Sequence, residues 1–131
     1  MSNDDIKKDE DLPINLYKVA RLKGTESPFS GKYWDSHAIG MYKCAICDTE
    51  LFSSETKFDS GTGWPNFTEP ANLEHVELKE DSSDGTKRTE VVCKKCRAHL
   101  GHVFDDGPKN KGGKRYCINS VCLELEKEET P

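Results

Sequence analysis

No run of eighteen apolar residues occurs anywhere in this 131-residue chain, so no transmembrane helix is expected. The first ten residues, Met1 to Glu10, are polar and charged. They lack the apolar stretch that a secretory signal needs, so none is expected there. A basic excess is missing as well. Lysine and arginine number 19 against 24 aspartates and glutamates, giving a formal charge of −5, which argues against nonspecific nucleic-acid binding. The one basic cluster, Lys109, Lys111, Lys114 and Arg115, reads as a solvated loop. Apolar residues make up only 34% of the chain. That is a lean core for a single domain of this length, and a metal staple would reinforce it.

Cysteine, by contrast, is plentiful, with six in a chain for which no secretory signal is expected. That usage points to a reducing compartment, the cytoplasm, where paired cysteines serve as metal sites rather than a disulfide framework. Four of them form two Cys-x-x-Cys pairs, Cys44/Cys47 and Cys93/Cys96. Two intervening residues let a tight turn aim both sulfurs at one ion, and two such turns complete a tetrahedral site. One structural zinc per chain is therefore expected. A closed four-cysteine site has no open position for substrate, and neither pair sits in the βαβ pattern of a thioredoxin-like redox motif. Any chemistry falls to a separate thiol, Cys117.

Along the chain, residues 1–12 read as a flexible polar leader, 13–125 as one domain and 126–131 as a charged tail. Asp11 and Pro13 signal a helix start, Leu16, Val19 and Ala20 recur at helical spacing, and Gly24 marks the end. From Gly40 onward short strands alternate with turns, among them the turn at 81–85, which predicts a mostly antiparallel β architecture. The segment from Arg115 to Leu125 reads as one final strand.

Cys117 in isolation reads as a buried apolar residue. Its neighbours point elsewhere. In a strand, Arg115 and Asn119 share its face: the cation favours thiolate, and the amide offers a hydrogen bond beside the sulfur. His99 and His102 supply proton donors or acceptors near neutral pH, which a thiol nucleophile needs. Trp64 sits among Gly61, Gly63 and Pro65, a backbone shaped to present an indole face to a small apolar or sulfur-bearing group.

Four ordered segments carry a family resemblance: Gly24 to Gly31, Lys57 to Phe67, His99 to Phe104, and Arg115 to Ser120. Together with the cysteine pairs, they make the chain resemble the zinc-bearing B-type methionine sulfoxide reductases over about Leu16 to Leu125. The resemblance implies two antiparallel β-sheets with short N-terminal helices and reduction of methionine-R-sulfoxide in oxidised proteins and peptides. It implies Cys117 as nucleophile, passing through a sulfenic acid. It implies His99, His102, Asn119 and Arg115 as its assistants, and Trp64 with Phe104 at the substrate. A thioredoxin-like or other thiol reductant is the implied second partner, and a monomer is expected.

One position departs from the pattern. Many members carry a resolving cysteine where this chain has Thr62. Cys122 is a poor substitute if it shares a strand with Cys117: five strand steps span roughly 16 Å, whereas a disulfide needs Cα atoms about 4.4–6.8 Å apart. Two other readings explain less. A zinc-clamped binding module accounts for the metal and Trp64 but not for Cys117, Arg115, Asn119 and two histidines together. A zinc-ribbon nucleic-acid binder conflicts with the charge.

Overall fold

The computed structural model describes residues 6–82, 85 and 87–128. Among these residues there is one α-helix, α1 (Ile14–Ala20), which opens at Pro13, whose fixed φ suits a helix start. Asp11 belongs instead to a preceding 3-10 turn, Asp9–Asp11, and does not cap α1. Leu16, Val19 and Ala20 are buried, as their spacing predicts. The Gly24 N–H donates to the Lys18 carbonyl, closing the C-terminal end.

Nine strands follow: β1 (Gly40–Cys44), β2 (Glu50–Ser53), β3 (Lys57–Phe58), β4 (Asn66–Phe67), β5 (Val76–Asp81), β6 (Arg88–Cys93), β7 (His99–Phe104), β8 (Arg115–Ile118) and β9 (Leu123–Lys127). They form two sheets, in the orders β2-β1-β9 and β3-β4-β8-β7-β6-β5. Every paired strand is antiparallel. The expected mostly β fold of two antiparallel sheets is the one observed.

An aromatic cluster joins the two sheets. Phe52 of β2 stacks on Phe67 of β4 with centroids 4.5 Å apart, and Tyr42 of β1 meets Phe67 edge-on at 5.3 Å. Tyr42, Phe52 and Phe67 are fully buried, and each such ring removes roughly 150–250 Å² from water. Period-two alternation then does the positioning. In β8, Tyr116 and Ile118 enter the core, which turns Arg115 and Cys117 to the opposite face.

The predicted strand from Arg115 to Leu125 is in fact two strands in different sheets. Asn119 and a 3-10 turn, Ser120–Cys122, separate them. The Asn119 N–H donates to the Leu100 carbonyl, while the N–H groups of Ser120 and Val121 donate to the Glu26 carboxylate. A carboxylate from a distant segment thus takes the amides that a continuing strand would offer to a ladder. Cys122 therefore lies in the turn and not five strand steps along from Cys117.

At the N-terminal end, Ile6 packs on the core, the Lys7 N–H donates to the Ile46 carbonyl, and Leu12 is buried, all within the segment read as a leader. Glu126 and Lys127 of the expected tail lie in β9. Of the other readings at these edges, residues 1–5, 83, 84 and 129–131 lie outside the described part. Among the described residues no helix is long and apolar enough to cross a membrane.

Candidate active site and metal centre

The register of four strands assembles one row of side chains. Cys117 faces Asn66 of β4 on one side and His102 of β7 on the other, and His102 in turn faces Glu90 of β6. Directly opposed residues share a face, with Cβ atoms about 4.5–5.5 Å apart. One pair along, Arg115 faces Phe104, and its guanidinium lies 4.6 Å from the ring centroid. Gly101 permits this closeness, because a Cβ there would run into the Cys117 carbonyl oxygen.

His99 joins the row through an irregularity. Residues three apart on a regular strand point to opposite faces. Here the β6–β7 register shifts between Val91, which pairs with Gly101, and Val92, which pairs with His99. Leu100 is the extra residue, and the bulge restores His99 to the face of His102. The two imidazole centroids are 5.3 Å apart. His99 Nδ1 lies 2.7 Å from Glu90 Oε2, and His102 Nε2 lies 2.9 Å from Asp81 Oδ2. His99 Nε2 is buried without a hydrogen-bond partner.

Two loops close over the other flank. The Trp64 indole N–H donates to the Glu26 carbonyl at 3.0 Å. Asn66, fully buried, donates from Nδ2 to the Trp64 carbonyl, Thr62 Oγ1 and Ser60 Oγ, and accepts from Arg115 Nη1 at 3.0 Å. Thr62 is therefore wired into the network around Arg115. Gly63, at φ 92°, lets the Trp64 loop press on Pro28 and Phe29, where a Cβ would come within 2.7 Å of Pro28 Cβ.

Burial is the dominant influence on the Cys117 thiol and pushes its pKa up. The nearby Arg115 pulls it down without cancelling the effect. Arg115 thus acts on the thiol in the direction of thiolate, while burial acts more strongly toward the protonated form. Arg115 is itself held by Asp106 through Nε at 2.9 Å and Nη2 at 3.3 Å, and it keeps the Asp106 carboxyl below its ordinary range. Burial also lowers the pKa of His99, against the pull of Glu90, and so favours the neutral ring. Asn119 differs from expectation. It lies past the end of β8, with Nδ2 donating to the Leu100 carbonyl and Oδ1 accepting the Glu26 N–H. Both polar ends hold backbone in place rather than facing the sulfur.

The four paired cysteines converge. Their sulfurs all lie within 4.8 Å of one another and all four residues are buried. Cys44 to Cys96 is 3.6 Å and Cys47 to Cys93 is 3.5 Å. A tetrahedral ion with bonds of about 2.3 Å would set sulfurs about 3.8 Å apart, so the cluster fits a metal with little adjustment. The two turns are built alike. The Asp48 N–H donates to the Cys44 carbonyl and the Arg97 N–H to the Cys93 carbonyl, and both residues take the left-handed conformation, at φ 61° and 67°.

Residues 12–127 match the SelR domain family. This chain belongs to that family, the B-type methionine sulfoxide reductases. It is 52% identical over 134 residues to the peptide methionine sulfoxide reductase MsrB of Methanosarcina mazei, covering 98% of this chain and 95% of that protein. With the protein of the same name from Pseudomonas fluorescens it shares 61% identity over 115 residues, 87% of each chain. With that of Thiobacillus denitrificans it shares 48% over 133 residues, 98% of this chain and all of that protein.

The sequence drew attention to most side chains on this face of the reductase, but not to the carboxylates behind them. Asp81 and Glu90 gave no local signal. Glu26 and Asn66 lay inside matched segments without being singled out. A cleft of about 830 Å³ lies elsewhere, lined by residues of α1, by 24–27 and 30–32, and by the turn and strand around Ser120 and Leu123. It borders the Cys117 face through Glu26 and the turn at Ser120 and Val121.

Proposed function

We propose that this enzyme reduces methionine-R-sulfoxide in oxidised proteins and peptides, with Cys117 as the nucleophile. The observation that carries the reading is the juxtaposition of Cys117 with His102 and Arg115 on one face, flanked by the anchored Trp64 loop. The Cys117 sulfur attacks the sulfoxide sulfur. The sulfoxide oxygen passes to Cys117, methionine leaves, and the thiol proton ends on that oxygen. Methionine sulfur is thereby reduced by two electrons and Cys117 is oxidised to sulfenic acid. His99 and His102 carry the proton as charge grows on oxygen. Trp64 and Phe104 receive the methylthio end of the substrate, and Asn119 supports the turn beyond Cys117.

Two external thiols then restore Cys117, releasing water and a disulfide. Their source is a thioredoxin-like protein or a small thiol, because Thr62 supplies no second sulfur. Zinc is the metal we assign to Cys44, Cys47, Cys93 and Cys96, where it staples the fold and leaves no coordination position open. The enzyme works as a monomer in the cytoplasm, whose reducing poise keeps such thiols available.

The test is turnover of peptides carrying each sulfoxide epimer, by wild type and Cys117→Ser. Wild type should consume the R epimer and Cys117→Ser neither, with zinc content and fold unchanged. Activity in Cys117→Ser, or equal use of both epimers, overturns the reading.

A further inference from the structure

The two histidines face their carboxylates through different ring nitrogens. His99 does so through Nδ1, toward Glu90, and His102 through Nε2, toward Asp81. An ionised carboxylate only accepts hydrogen bonds, so the nitrogen that faces it must bear the proton. Both carboxylates are buried, and both also face a cation. Lys23 Nζ is 3.3 Å from Glu90 Oε1, and Arg88 Nη2 is 3.9 Å from Asp81 Oδ2. Lys23 reaches Glu90 from the left-handed region at φ 60°, in the turn that follows α1. Glu90 and Asp81 therefore stand as anionic acceptors, one per ring.

We propose that Glu90 and Asp81 are positioning residues for proton transfer, holding His99 and His102 in opposite tautomers. His99 is protonated at Nδ1 and bare at Nε2, whereas His102 is protonated at Nε2 and bare at Nδ1. This rests on the reading that Cys117 is the nucleophile and that these histidines carry its proton. The unpartnered His99 Nε2 follows directly, since a bare ring nitrogen is an acceptor kept open for a proton. Once it takes that proton, the imidazolium has the Glu90 carboxylate already in contact at its other nitrogen. Neither carboxylate touches substrate. Each acts through a ring, as the buried aspartate of a serine-protease triad acts through its histidine.

The tautomers are readable without turnover. Full-length, zinc-loaded, reduced enzyme labelled with 15N at histidine is examined by two-bond 15N–1H correlation spectra, recorded above the ordinary imidazole pKa of about 6.5. His37 and His75, outside the row, serve as internal references. The expected result is Nδ1–H at His99 and Nε2–H at His102. A reversed tautomer at either ring overturns the proposal.

Glu90→Gln keeps its one amide oxygen toward Lys23, which can only donate, and so turns an amide N–H toward His99, which should shift toward the Nε2–H form. The value of kcat should fall about 10²-fold, the lower end of the roughly 10²–10⁴-fold that acid–base catalysis supplies, with KM within about twofold. At His102, where one oxygen of Asp81 faces both the ring and Arg88, Asp81→Ala removes the acceptor and should release the tautomer preference with a similar fall in kcat. Glu90→Asp keeps an acceptor-only group, and should retain the His99 tautomer and exceed Glu90→Gln in kcat. A purely packing role gives the reverse order, because glutamine matches glutamate in size and aspartate does not. That order, with the tautomers unmoved in Glu90→Gln, overturns the proposal. Failure of the nucleophile reading would appear separately, as activity in Cys117→Ser.

Discussion

His102 lies directly across the β7–β8 ladder from Cys117. The ladder, not a loop, sets the spacing between thiol and imidazole, so it is as rigid as the sheet. Asn66 holds the other side of Cys117 by the same means and ties the Trp64 loop to Arg115. Cys117, His102 and the Trp64 loop are thus referred to a single strand, β8.

Arg115 partly offsets the burial that raises the Cys117 pKa. Arg115→Ala removes the offset, so the thiol pKa rises further and the thiolate fraction at any given pH falls. The limb over which kcat/KM increases with pH should move to higher pH. Activity at pH 7 should drop about tenfold for each pKa unit gained. A pH–rate profile, with thiolate ultraviolet absorbance alongside, checks this. A limb that stays in place would show that Arg115 does not govern the sulfur.

Metal analysis of purified enzyme should find one zinc per chain. Chelation, or Cys93→Ser, should lower the melting temperature and loosen both sheets together, because metal binding is coupled to folding in such sites. Folded, active protein with well under one zinc per chain would contradict the assignment.

After one turnover without reductant, Cys117 should be trapped as sulfenic acid and not as an internal disulfide. The reason differs from one of strand distance. Cys122 is almost fully buried among core residues, and its thiol donates to the His99 carbonyl at 3.4 Å. Burial also lifts its pKa well above that of a free thiol, away from the reactive thiolate. Thr62→Cys should allow an internal disulfide, given the hydrogen-bonded contact of residue 62 with Asn66 beside Cys117. Mass spectrometry with a sulfenate-specific probe decides, and a stoichiometric Cys117–Cys122 bond would refute the expectation.

Glu26→Ala strips two acceptor contacts from the turn after Cys117, each 2.9 Å long. Leaving the amides of Ser120 and Val121 without that partner should cost about 2 kcal/mol in unfolding stability, with Glu26→Gln milder since its amide oxygen still accepts. Denaturant melts measure this. A loss below about 0.5 kcal/mol, the scatter of ordinary surface changes, would mean water replaces the carboxylate freely.

The legible parts of the sequence were those with local signals. The cysteine pairs, the helical spacing of Leu16, Val19 and Ala20, and the alternation that turns Arg115 and Cys117 to one side all depend on near neighbours. The break at Asn119 was not legible, because no glycine or proline marks it and its cause, Glu26, lies far away in the chain. The common face of His99 and His102 depends on a bulge at Leu100 that only the partner strand reveals. Asp81 and Glu90 were hidden among the 24 acidic residues of a charged chain, and burial alone sets them apart.

The cysteine cluster has a consequence for chain continuity. Cys44 and Cys47 precede the β5–β6 connection, Cys93 and Cys96 follow it, and β1 pairs with β9 across the same divide. With its metal bound, a molecule cut once between Asp81 and Arg88 would remain one particle. Its two fragments would share a single ion, and neither would own a complete site. Cys117, His99 and His102 would travel on the C-terminal fragment and Trp64 on the N-terminal one, so removal of the metal would leave only the strand ladders and the core to hold them together.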